Sequence, residues 1–213
     1  MKVLSINTAI PEKLQVGKKS VTTGIFKQPR KGPILINELG LNGDTIVNKK
    51  VHGGVDQAIY IYSAEDYTWW EEQLGRDLHP GVFGENLTIS NYHDGDLRVG
   101  DRLLLAGNVL LEISCPRVPC AQFTTKMGDS SFAKKFVAAQ RPGAYARVLV
   151  PGEIDVGCDI EWQPTEHNYA TINEIFIEWH SKSWSESIAK KALNSPISMI
   201  ARDIIEQRSG VVT

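Results

Sequence analysis

Long apolar runs are missing from these 213 residues. No stretch of about 18 apolar residues occurs, so no membrane-spanning helix is expected and no membrane is called for as a partner. The opening MKVLSINTAIPEK has no apolar h-region and does not read as a secretory leader. Cysteine is scarce and odd in number, with only Cys115, Cys120 and Cys158. That set is a poor basis for a disulfide-stapled secreted scaffold and points to the cytoplasm. An excess of charge is missing as well. The 23 Lys and Arg against 25 Asp and Glu leave a net charge of -2. A nucleic-acid partner needs a positive field to displace condensed counterions, so none is expected, although a local basic site for one phosphate is compatible with the balance. What is present is ordinary globular material. With 42% hydrophobic and 23% charged residues, the chain can bury a sizeable core as one domain plus a small appendage.

Up to about residue 164 the pattern is of short strands punctuated by turns. Residues 2–7, 20–25, 33–39, 58–63, 86–90, 102–106, 109–115 and 145–150 are rich in Val, Ile, Leu, Thr and Tyr. Gly43-Asp44, Gly95-Asp96, Gly100-Asp101 and Pro151-Gly152 supply the turns between them. Strands this short and this numerous predict a closed or nearly closed barrel. Two helices are expected to interrupt it, one capped by Ser63 and one following Ser130 or Ser131. After Trp162-Gln163-Pro164 the periodicity becomes helical. Thr171-x-x-Glu174 and Ser183-x-x-Glu186 read as capping boxes, Ser195-Pro196 as a third helix start, and Gly210 as a stop. The predicted fold class is mainly β with α. A β-barrel with flanking helices occupies 1–164, and a small three-helix bundle occupies 168–210.

Five segments carry residues with chemical potential. Cys115-Pro116-Arg117-Val118-Pro119-Cys120 leaves a strand and meets two prolines, which restrict the backbone that mounts Cys120. Arg117 is placed to lower a thiol pKa or to hold an anion. The plain alternative is that both cysteines are small core residues. Lys50-Val51-His52-Gly53-Gly54 offers a backbone that a bound group can approach closely, with amides able to cradle an anion; otherwise it is a glycine turn with a surface histidine. Asn86, after Gly81-x-x-Gly84-Glu85, presents both donors and an acceptor to a heterocycle, or else makes an Asx-type turn. Tyr145 and Arg147 share one face of a strand. Lys27 and Arg30 flank Pro29 as phosphate contacts or as a solvated basic loop.

In combination these segments resemble the MOSC family, the C-terminal domain of molybdenum cofactor sulfurases. The pieces stand in order: Gly43-Asp44, Lys50-x-His52-Gly53-Gly54-x-Asp56-x-Ala58, Gly81-x-Phe83-Gly84-Glu85-Asn86, Gly100-Asp101, Pro116-Arg117-x-Pro119-Cys120 and Tyr145-x-Arg147. They span about 20–162. The helical tail resembles that of a bacterial subgroup. The resemblance implies a MOSC β-barrel binding a molybdenum-molybdopterin cofactor, with Cys120 as metal ligand and catalytic residue. Lys27, His52, Gly53, Gly54, Asn86, Arg117, Tyr145 and Arg147 would bind the cofactor. It further implies reduction of N-hydroxylated bases, amidoximes and hydroxylamines to amines, with electrons from a flavin or a haem/iron–sulfur transfer protein. A soft thiolate suits such a metal. The alternative is a protein that binds the cofactor or passes on its sulfur, without turnover. A cysteine hydrolase is a weaker third, because only His52 offers a base. Two departures stand out. Ala144 occupies a place where close relatives are expected to carry tryptophan. Cys115 stands where a non-thiol residue is usual, so a Cys115–Cys120 disulfide competes with metal binding.

Overall fold

A computed structural model describes every residue except 46, 48–52, 93–94 and 212–213. The chain opens with β1 (Val3–Thr8), β2 (Glu12–Val16), β3 (Lys19–Thr23), β4 (Gln28–Pro29), β5 (Ile34–Asn37) and β6 (Gly40–Leu41). A 3-10 turn at Val55–Gln57 leads into β7 (Ile59–Ser63), α1 (Ala64–Leu74) and β8 (Leu87–Ile89). Then come β9 (Arg102–Leu105), β10 (Val109–Pro116), α2 (Ala121–Met127), α3 (Phe132–Ala139), β11 (Ala144–Val150), β12 (Gly152–Ile154) and β13 (Ile160–Gln163). The tail is α4 (Ile172–His180), α5 (Glu186–Leu193) and α6 (Met199–Ser209).

The main sheet runs in the order β13-β9-β10-β11-β7-β8-β1-β4. Its two ends meet. Val3 N–H donates to Cys158 O at 3.0 Å, Gly157 N–H to Val3 O at 2.8 Å, and Ile160 N–H to Met1 O at 2.9 Å. This closure removes the unpaired backbone edge that an open sheet would expose. The expected barrel with flanking helices and a three-helix tail is therefore the observed architecture. Outside the main sheet, β2 and β3 form a hairpin of their own, joined by Gly17-Lys18 with Gly17 at φ 59°.

Local capping accounts for most helix boundaries. Ser63 accepts from the Glu65 and Asp66 N–H groups and starts α1. Thr171 and Glu174 form a complete capping box on α4. The second expected box does not form: Glu178 takes the Ser185 N–H at 2.8 Å, and α5 starts at Glu186, two residues later than a Ser183 cap requires. Trp184 then lies before the helix rather than on it, packed against the core. The third start also moves. Ser195 Oγ closes the end of α5 on Ala192 O at 2.6 Å, and Ser198 caps α6. α2 has no counterpart in the sequence expectations, since its cap is Cys120 and its middle is Thr124-Thr125, a β-branched pair.

Two buried clusters divide the interior. One is aliphatic and fills the barrel with residues such as Ile6, Ile36, Ile61, Leu103 and Leu111. Ile172, Ile175, Leu193 and Ile205 of the tail helices belong to the same cluster, so the tail covers one side of the barrel core. The other is aromatic: Tyr60, Tyr62, Tyr67, Trp70, Phe83, Phe123, Phe132, Phe136 and Phe176 pack beneath α1, α2 and α3. A bulge in β10 between Ile113 and Cys115 shifts its register against β11, while both residues stay in the aliphatic cluster. Gly143 allows β11 to lie close on β7, because a Cβ there would sit 2.5 Å from Ile61 O.

Candidate functional site

Arg117 and Cys120 sit where the aromatic cluster meets a solvent-open cleft. β10 ends at Pro116, and the chain turns through Arg117-Val118-Pro119 before Cys120 caps α2. Arg117 is only 5% exposed. Its guanidinium carbon lies 3.7 Å from the Phe123 ring centre, with Phe136 at 5.4 Å and Tyr60 at 5.6 Å. Aromatic faces stabilise a desolvated cation by up to roughly 2 kcal/mol each. One Arg117 nitrogen, Nη1, is buried without a hydrogen-bond partner among the described residues. A buried charged donor left unpaired costs roughly 1–3 kcal/mol or more, so the site is suited to an acceptor that no described residue supplies.

Tyr145 stands next to this guanidinium and lines the same cleft. Burial pushes its phenol up to about 12, while the neighbouring Arg117, which also hydrogen-bonds it, pulls the other way. Tyr145 therefore keeps its proton at neutral pH. Across the cleft, Lys27 is 6% exposed and ion-pairs with Asp44. Burial lowers the Lys27 pKa, opposed by the Asp44 charge. Asp44 also accepts from Asn86 Nδ2 at 2.8 Å and from Ala9 N at 2.8 Å. Asn86 Oδ1 accepts from Tyr60 N at 3.1 Å, so Asn86 ties β7, β8 and the Asp44 turn together. Lys126 donates to Ile25 O at 2.8 Å and Gly81 O at 2.9 Å, and burial pushes its ammonium down to about 8.

Of the residues singled out in the sequence, Cys120, Lys27, Gly53, Asn86, Arg117 and Tyr145 line one cleft. Gly54 lies beside it at φ 79°, next to Gly53 at φ 83°. His52 lies outside the described residues. Arg147 is placed elsewhere. Its guanidinium pairs with Asp56 at 2.9 Å and Glu112 at 2.9 Å, one pair of residues further along β11 than the cleft. Asp56 in turn accepts from Met199 N at 2.9 Å, at the start of α6, and its carbonyl accepts from Ser114 Oγ at 2.5 Å. Cys115 faces the aliphatic core and is buried, which pushes its thiol pKa up; Cys120 packs against the aromatic cluster. No disulfide joins the two.

Gln57 and Gln122 also line the cleft and were not singled out. Gln57 Oε1 is buried without a partner among the described residues. Its signal was its place one residue after Asp56, on the segment that follows the paired glycines. Gln122, bonded by Thr23 Oγ1 at 2.5 Å, sits on the unforeseen helix α2. Among the described residues no cluster of three His, Cys, Asp or Glu side chains could hold a metal alone.

A closed barrel with one thiol and one buried guanidinium at the mouth of a cleft is a ligand-binding scaffold. The model of the MOSC domain matches residues 48–161, and the chain belongs to that family. Uncharacterized protein YflK of Bacillus subtilis is 35% identical over 75% of this chain and 72% of its own length. Protein YiiM of Escherichia coli is 27% identical over 89% of this chain and 93% of its own. The crystal structure of YiiM from Geobacillus stearothermophilus superposes with a TM-score of 0.81 at 27% identity, covering 97% of this chain and 98% of that one. A protein of Gibberella moniliformis named Reductase is 28% identical over 88% of this chain, which spans only 34% of its length. MOSC domains are associated with molybdenum-cofactor proteins. No helix among the described residues is long and apolar enough to cross a membrane.

Proposed function

We propose that this chain is a molybdenum-cofactor-dependent reductase that converts N-hydroxylated bases, amidoximes and hydroxylamines to amines. One observation carries the reading: the Cys120 thiol shares its cleft with a buried Arg117 whose Nη1–H has no partner among the described residues. A soft ligand and an anion receptor side by side suit a pterin-dithiolene molybdenum with an anionic tail. Bound there, the cofactor would supply two-electron chemistry at the metal. Overall, one N–O bond breaks, two electrons and two protons are consumed, and an amine and water leave.

The chain's own residues would bind, orient and hold protons. Cys120 would ligate the metal from a backbone fixed by Pro116 and Pro119. Arg117 would hold the anionic part of the cofactor, helped by Lys27 and by the amides of His52, Gly53 and Gly54. Tyr145 Oη, protonated at neutral pH, would donate to a ligand oxygen in the cleft. Asn86 would fix the wall opposite, and Arg147 would brace Asp56 rather than touch the cofactor. Residues 1–164 are read as the catalytic barrel and 168–210 as a helical unit that supports it. Protein expressed in a host with intact cofactor synthesis should carry about one molybdenum per chain, the count implied by one thiolate ligand. It should reduce a hydroxylaminopurine with a chemical reductant. Metal-free protein from that host, beside a loaded control molybdoenzyme, would overturn the reading. Loaded protein without turnover would favour the cofactor-carrier alternative.

A further inference from the structure

The charge of this chain is almost balanced in total but strongly divided in place. Residues 13–31 hold six Lys and Arg and no acid, and residues 117–147 hold six against Asp129 alone. Residues 151–181 hold seven acids and no Lys or Arg. The two basic segments are also the ones that wall the cleft, through Thr22, Thr23, Gly24 and Lys27 on one side and Arg117 and Cys120 on the other. Several cations of the second segment are already matched: Lys135 by Asp129, Arg141 by Asp66 and Arg147 by Asp56. The first segment differs. Lys13, Lys18, Lys19, Arg30 and Lys31 are exposed and form no ion pair with a described residue. Glu12, at the base of the hairpin, is its one acid.

We propose that the β2–β3 hairpin is the docking surface for an acidic electron-transfer protein, a partner that follows from the reductase reading and rests on it. Lys19 lies four residues from Thr23, about 13 Å of strand, so a protein seated on the hairpin sits beside the mouth of the cleft. Unmatched cations on an exposed hairpin steer an acidic partner and orient it in the encounter. Nucleic acid is the other polyanion that such a surface attracts. The hairpin sequence EKLQVGKKSVTT has no aromatic side chain for a base to stack on, and that favours a protein. The exposed acids of 151–181, such as Glu153, Asp155, Glu161 and Glu166, would repel the same partner.

The test uses the full-length molybdenum-loaded protein and the triple variant Lys13→Glu, Lys18→Glu, Lys19→Glu. The probe is a purified acidic flavodoxin, reduced by its flavin reductase, with dithionite as a small chemical donor. Wild-type protein should bind immobilised flavodoxin at about 25 mM salt and release it at about 400 mM, where screening is strong. The variant should bind about tenfold more weakly or not at all. Flavodoxin-driven reduction of a hydroxylaminopurine should fall about tenfold in the variant, while the dithionite-driven rate stays within about twofold. Equal flavodoxin binding by both proteins overturns the proposal. So does an equal loss of rate with both donors, or tight binding of a single-stranded oligonucleotide that the variant loses in place of flavodoxin binding. Because binding is read without turnover, a protein that docks flavodoxin but reduces nothing would fail as a reductase and still keep this docking surface.

Discussion

The two buried clusters of this molecule each place a cysteine, and they treat it in opposite ways. Cys115 lies in the aliphatic barrel core, 4% exposed, its thiol pushed up by burial. Cys120 lies five residues on, against an aromatic cluster that borders an open cleft. Aliphatic packing offers a buried charge nothing, whereas aromatic faces can accommodate a guanidinium out of water. That difference explains how the Arg117 guanidinium is accommodated at 5% exposure, stacked on Phe123. The aromatic cluster is thus a platform for the site, and the aliphatic one a foundation for the barrel.

The largest contrast should appear between the two cysteines. Cys120→Ser should lower hydroxylaminopurine turnover by about a thousandfold or more, as removal of a central catalytic group does. Cys115→Ser should leave turnover within about threefold, since its thiol lies in the aliphatic core, hydrogen-bonded to Ser114, Ser198 and Gln57, and does not line the cleft. Equal losses from both would abolish the distinction. Next, Phe123→Ala and Ile113→Ala should each cost about 2–5 kcal/mol in urea unfolding. Only the first should also reduce molybdenum content, because Arg117 loses its nearest ring. Comparable metal content in both variants would show that the aromatic platform is mere filling.

Arg117→Ala should lower molybdenum occupancy several-fold with Cys120 intact, and Arg117→Lys should restore little of it, lacking the planar stacking group. Full occupancy in the alanine variant would remove Arg117 from the binding machinery. The smallest effect concerns pH. A thiol whose pKa is raised in the fold contributes stability that is present below its unfolded value, about 8.5, and lost as pH rises past it. Urea midpoints of the wild type should therefore fall between about pH 7.5 and 9.5 more than those of Cys115→Ser. Parallel falls would mean that Cys115 is less shielded than its 4% exposure states.

Much of this was legible in the sequence, and the gaps have physical causes. Runs rich in Val, Ile, Leu, Thr and Tyr, bounded by turn dipeptides, located β1, β3, β5 and β7 to β11 to within two residues at each end. The strands β2, β4, β6, β12 and β13, several of them only two or three residues long, were not foreseen. Ser63 and the Thr171–Glu174 box were readable since capping is local chemistry. The shifted starts of α5 and α6 were not, because Glu178 reaches across a loop to take the Ser185 N–H. α2 was invisible for a related reason: only its packing against the β2–β3 hairpin and the aromatic cluster makes a helix of a Thr-Thr sequence. At the cleft, residue types announced Cys120, Arg117, Lys27 and Asn86 as candidates. That Arg147 would serve Asp56 instead could not be read, since Asp56 lies 91 positions away in sequence.

Asp56 is bound from three directions, by Arg147, by Ser114 and by the first N–H of α6. The last of these ties the helical tail to the wall of the cleft. Met199 stands 143 positions from Asp56 and still holds its carboxylate, so a disturbance at the start of α6 is carried to the segment with Gln57, which lines the cleft.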